Sequence, residues 1–287
     1  TLALMLGAHA ADQMENFELR DRYLHEIEQL PQKQQLSRHL LLAESALSRR
    51  DYPTAAQNLE AAAKINSNLS RLVRLQLRYA FDHGDAADVL AKAEKLVKAG
   101  AINDYEAEQY QNWAYRRLLS EVTDARSLKA CLKHIPESLK SGELCVAIAE
   151  KYERLGLYAD AVKWVKTHYP QTRQPELLEA FVESVRFLSE REQQKAIDLA
   201  DSWLQEQPDN APLLMYLGQL AYGRKLWGKA QGYLEASIAL QPSVPAHLVL
   251  ARVFDETDQP QKAQEQRNLV LESVAEEEHP AALPQPN

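Results

Sequence analysis

Two features of this chain recur at one interval. Ala230 lies in "LWGKAQGYLEASIALQP" (226–242), where a long helix would carry a larger residue, and Ala196 stands 34 residues before it. Pro242 stops the same stretch, and Pro208 stands 34 residues before that. A small residue and a helix stop that return together mean one unit used repeatedly. Such a chain stacks unit on unit instead of folding around one central core. Glycine is scarce, 9 in 287 residues, and good helix formers dominate. No convincing alternation of Val, Ile and Thr predicts a strand, so the unit is helical.

Aligning the chain with itself extends the pattern. The unit from Ala211 supplies Leu214, Leu217, Gly218, Ala221, Trp227, Ala230, Leu234, Ser237 and Pro242 in order. Large and small positions follow the same order from about Leu36, Ser70, Gly142, Leu177 and Val244. The start fits too, through Leu4, Gly7, Ala8, Ala11, Phe17 and Leu24. Small residues are needed where helix axes cross about 8–10 Å apart. Between Gln109 and Ser141 the match degenerates: two helices are legible, but the small residue of the second is missing. A period of about 34 residues with two antiparallel helices per unit is the signature of the tetratricopeptide repeat. The prediction is all-α: a right-handed superhelix of about eight tetratricopeptide-like hairpins filling residues 1–277. The segment 278–287 holds three prolines after an acidic run and is expected to be disordered.

Net charge is −8, which argues against nonspecific nucleic-acid binding. Two cysteines cannot make a disulfide framework. No apolar run reaches the roughly 18 to 20 residues of a membrane span. Because the chain starts at Thr1 without an initiator Met, it reads as a fragment of a longer protein. No GxGxxG, P-loop, HExxH or GxSxG motif is present, so neither catalysis nor a resident cofactor is expected.

Interest therefore falls on the face lined by the first helix of each hairpin. The third unit presents Arg71, Arg74, Arg78 and Phe81 there, and the fourth Tyr110, Trp113 and Arg117. Arginine forks take carboxylates bidentately and aromatic faces stack on planar or cationic groups, so this patch is a candidate anion and partner site. Snorkelling arginines on a solvated face are the alternative. The fifth unit turns acidic, with Glu143, Glu150 and Glu153. The sixth is apolar, with Leu178, Phe181, Val185 and Leu188, and either packs on its neighbours or grips a partner. Cys131 and His134 share a helical face, and His9 falls on the expected concave side. These three are the candidates for haem contact. The alternative makes Cys131 a small core residue and His134 part of a turn before Pro136.

The run Leu226-Trp227-Gly228-Lys229-Ala230, followed by Tyr233-Leu234-Glu235-Ala236-Ser237, resembles the C-terminal end of the bacterial HemY family of protohaem biogenesis proteins. The earlier hairpins "RRDYPTAAQNLEAAAK" (49–64) and "LGLYADAVKWV" (155–165) are similar in type but generic. The resemblance implies two transmembrane helices ahead of Thr1, a bacterial inner-membrane location and a helical domain on the cytoplasmic side. It implies a non-catalytic, membrane-tethered scaffold that binds enzymes of late haem biosynthesis, or a porphyrin, in its groove. It supplies no catalytic residues. Two other functions fit the same sequence: a peptide-binding adaptor of cell-envelope assembly with no haem role, and a direct haem-binding carrier. Neither the partner's identity nor the oligomeric state follows from the sequence.

Overall fold

The computed structural model describes residues 2–29 and 31–278, and those residues hold sixteen α-helices and no strand. The chain divides into two compact units at Val122/Thr123. The first contains α1 (Leu2–Gln13), α2 (Phe17–Glu28), α3 (Gln32–Ser48), α4 (Tyr52–Ile65), α5 (Ser70–His83), α6 (Ala86–Lys98) and α7 (Asp104–Glu121). The second contains α8 (Ala125–His134), α9 (Glu143–Arg154), α10 (Tyr158–Thr172), α11 (Pro175–Val185), α12 (Glu190–Glu206), α13 (Ala211–Gly223), α14 (Trp227–Leu240), α15 (Val244–Glu256) and α16 (Pro260–Glu278). Sixteen helices are what eight hairpins require. The degenerate stretch 109–141 is where the units meet in sequence: α7 ends the first and α8 begins the second. The expected tail lies, beyond Glu278, outside the described residues. Among the described residues no helix is long and apolar enough to cross a membrane.

Local chemistry sets the helix ends. The side chains of Asp51, Asp85, Asn103, Asn210 and Ser243 each accept a backbone N–H in the first turn of the helix that follows. Asp124 with Ser127, and Ser189 with Glu192, form reciprocal capping boxes. Proline stands in the first turn of α4, α11, α13 and α15, where its missing N–H costs nothing. Gly84 ends α5 in the left-handed region, at φ 76°, a conformation an L side chain resists.

Paired helices then bury the faces that no single helix can cover. In the first unit α1, α3 and α5 pack side by side, with α2, α4 and α6 behind them. In the second unit α9, α11, α13 and α15 do the same. The expected small positions lie at these crossings: Ala43, Ala55, Ala149, Ala161 and Ala230 have no exposed surface. Gly218 of α13 lies so close to Leu234 of α14 that a Cβ there would sit 2.6 Å from Leu234 Cγ. Two polar groups set between helices are matched too. The Ser237 hydroxyl donates to the Ala211 carbonyl at 2.8 Å, and the Tyr233 hydroxyl to Asp201 at 2.6 Å. In the first unit Arg20, 7% exposed, pairs with Asp12 at 3.1 Å and Asp21 at 2.7 Å.

One repeat position departs from the pattern. Phe187 stands 34 residues before buried Ala221, yet it is 64% exposed. Helix α11 stops at Val185, so Phe187 falls in the turn to α12 and stacks on Tyr158 instead, with centroids 4.2 Å apart.

Candidate partner-binding face

Helix α5 divides its residues cleanly. Leu72, Val73, Leu75, Leu77 and Ala80 are buried. Arg71, Arg74, Arg78 and Phe81 recur at helical spacing on the other side, and all four are exposed. Helix α7 buries Ala107, Ala114, Tyr115 and Leu119, leaving Tyr110 and Trp113 half-buried and Arg117 exposed. The two helices bring their aromatic residues together. The Phe81 ring lies 4.4 Å from that of Trp113 and 6.0 Å, edge-on, from that of Tyr110. Phe81 nonetheless keeps 38% of its surface in solvent. Arg117 crosses toward the end of α5: a Cβ at Gly84 would sit 3.8 Å from Arg117 Nε. There its charge faces the negative pole of the α5 dipole. Arg117 Nε also pairs with Glu121 of its own helix at 3.3 Å.

The three arginines of α5 are not equivalent. Arg71 donates to Glu44 of α3 at 2.6 Å, and Arg74 pairs with Glu106 of α7 at 3.2 Å. Arg74 also donates to the Ala101 carbonyl in the turn before α7. Both brace neighbouring hairpins, and a brace already matched by a carboxylate is a poor anion receptor. Arg78 makes no ion pair or hydrogen bond among the described residues. Of the three α5 arginines expected on the partner face, Arg71 and Arg74 meet carboxylates, because Glu44 and Glu106 arrive from helices 27 and 32 residues away in sequence. No spacing rule signals partners at that range. The face that remains is Phe81, Tyr110 and Trp113 between Arg78 and Arg117.

Leu178 and Phe181 are no part of an exposed surface. Each is 1% exposed within the core of the second unit, and Phe181 packs on Trp203 with centroids 5.4 Å apart. Helix α11 is apolar on more than one side because α9, α10, α12 and α13 all contact it. The apolar sixth unit is therefore packing, not grip. Met215 is likewise buried, while Tyr222 is half-buried.

The haem candidates fall in both units. His9 is exposed on α1 in the first unit, while Cys131 and His134 lie on α8 in the second. Burial pushes the Cys131 thiol up, which disfavours the thiolate a metal would need. Among the described residues no three His, Cys, Asp or Glu side chains converge as a metal site. Cys145 is a core residue with no exposed surface, its thiol pushed up to about 11 by burial.

No protein-family model matches this chain, and no curated protein matches it either. Solved structures do. The MamA protein is similar at 15% identity over 76% of this chain and 98% of its own, with a TM-score of 0.38. The P58(IPK) TPR domain is similar at 16% identity, covering 91% of this chain and 80% of its own, with a TM-score of 0.31. Yeast Tom70 is similar at 13% identity, covering 97% of this chain and 69% of its own, with a TM-score of 0.35.

Proposed function

We propose that this chain is a non-catalytic repeat scaffold that captures a protein partner on the α5–α7 face. The observation that carries the reading is Phe81, still exposed although stacked on Trp113, beside an arginine with no carboxylate of its own. The few residues that dominate protein interfaces are enriched in tryptophan, tyrosine and arginine, and truncating one of them costs about 2 kcal/mol or more. A partner segment carrying a carboxylate and an apolar side chain satisfies both halves of the face: the carboxylate takes Arg78, and the apolar group covers Phe81.

The finer reading rests on the HemY resemblance. It makes the partners late haem-biosynthesis enzymes, or a porphyrin passed between them. It places the scaffold at the bacterial inner membrane, anchored by a segment ahead of Thr1, with these repeats on the cytoplasmic side. Tethering would raise the local concentration of such enzymes.

The test is affinity capture from bacterial membranes with the full-length anchored protein, read by mass spectrometry, beside Arg78→Glu/Phe81→Ser. Arg71 and Arg74 are unsuitable targets because they brace helices. Late haem enzymes recovered by the wild type and lost by the variant are the expected result. Equal recovery by the variant would remove the face. Recovery of envelope-assembly proteins alone would remove the haem assignment and leave an adaptor.

A further inference from the structure

The second unit carries a groove that the α5–α7 face does not account for. It lies along α11, α13 and α15, has a volume of about 580 Å³, and is lined in part by Glu183, Arg186, Tyr222, Leu248, Val249 and Arg252. Its volume is in the range of ligand clefts. Leu248 is 40% exposed, although its neighbours on α15, Val249 and Leu250, are buried. Arg252 stands one helical turn further on, exposed, and makes no ion pair or hydrogen bond among the described residues. The groove's other arginine is engaged: Arg186 pairs with Glu183 at 2.8 Å.

We infer that this groove binds an extended protein segment in which a carboxylate stands next to an aliphatic or aromatic side chain, the carboxylate on Arg252 and the apolar group on Leu248, Val249 and Tyr222. Charge decides the occupant and its direction. Arg252, on α15, is the unmatched cation of the groove, whereas Arg186 and Glu183 on α11 satisfy each other. A segment is therefore held with its acid at the α15 side. Leu248 remains too open for the groove to wrap a free alkyl chain. A peptide suits it better, because it needs only one apolar side chain covered while its backbone stays solvated. A guanidinium fork adds a bidentate, charge-assisted pair that an amide cannot reproduce.

The experiment is selection of a random nonapeptide display library on the full chain, run in parallel on Leu248→Ser/Arg252→Glu and on Arg78→Glu/Phe81→Ser. Both pairs change exposed residues, and circular dichroism checks that each variant keeps wild-type helicity. The expected result is enrichment of peptides with Asp or Glu beside Leu, Ile or Phe. Selected peptides, made with a fluorescent label, should bind at least tenfold more weakly to Leu248→Ser/Arg252→Glu by anisotropy. They should bind unchanged to Arg78→Glu/Phe81→Ser, which separates this groove from the α5–α7 face. Replacing the peptide's acid by its amide should weaken binding by a similar factor. The inference is overturned if nothing is enriched, if the enriched peptides lack the acid–apolar pair, or if Leu248→Ser/Arg252→Glu binds them like wild type. Binding of dodecanoate at this groove with no peptide enriched would also overturn it.

Discussion

Gly218→Ala sets two opposing effects against each other at one helix crossing. Gly218 lies within α13 and needs no unusual backbone, so alanine there should favour the helix by about 1 kcal/mol. The new methyl, however, would lie 2.6 Å from Leu234 Cγ and 2.8 Å from Leu234 Cδ2. Leu234 has no exposed surface and cannot swing away. Overpacking of this kind costs about 1–3 kcal/mol. The net expectation is a loss of about 1 kcal/mol. Leu234→Ala alone opens a cavity and costs about 3 kcal/mol. In that background the methyl at position 218 has room, and Gly218→Ala should stabilise by about 1 kcal/mol. The coupling between the two sites is then about 2 kcal/mol, the size expected of residues in direct contact. The assay is urea unfolding of the four chains of this cycle. Circular dichroism reports total helix, and fluorescence reports the four tryptophans, of which Trp164, Trp203 and Trp227 lie in the same unit as Gly218. Two probes are needed because repeat arrays unfold in stages. Zero coupling, with Gly218→Ala stabilising in both backgrounds, would refute the packing argument. Gly7 is the control. A Cβ there would sit 2.9 Å from Tyr23 Cε2, but the Tyr23 ring is only half-buried and can rotate out. Gly7→Ala should be neutral or stabilising by up to about 1 kcal/mol.

Three further outcomes are expected. Arg20→Gln leaves Asp12, which also accepts the Ser45 hydroxyl, without its charge partner, and should destabilise the first unit by about 3 kcal/mol in urea unfolding; a change under 1 kcal/mol would contradict the buried pair. Native protein should show at most one thiol to Ellman's reagent at pH 8, that of half-buried Cys131, and both only in denaturant; two rapid native thiols would place Cys145 wrongly. Burial, then the charges of Glu183, Glu150 and Glu179, hold the Glu153 carboxyl above its ordinary value. The native state keeps that proton to a higher pH than the unfolded chain, so this group's contribution falls as pH rises between the two values. Glu153→Gln should therefore raise the melting temperature at pH 7 and remove that pH dependence, whereas a lower melting temperature would show that the carboxylate is stabilising.

The helices and their ends were legible because both are local. Asp85, Asn103 and Asn210 cap within three residues, and Gly84 ends α5 where it stands. The 34-residue interval was legible for a related reason: each hairpin needs a small residue at the same crossing, so Ala196 and Ala230 repeat. The division at Val122/Thr123 was not legible: residues 1–277 read as one continuous array, with 109–141 only a degenerate unit of it. What stayed out of reach depends on which helix comes to lie beside which. Arg71, Arg74 and Arg78 carry the same side chain at one helical spacing, yet only tertiary structure sets Glu44 and Glu106 against the first two and leaves the third alone. Leu178 and Phe181 fit a gripping surface as well as a core until the helices around α11 bury them. Leu248 and Arg252 gave no signal at all, since a groove belongs to three helices and to no single stretch of chain. Gly7 and Gly218 both stand in the first helix of a hairpin, one repeat position apart, and read alike. Whether a methyl fits at either is decided by the freedom of the side chain opposite, which is a property of the packed structure alone.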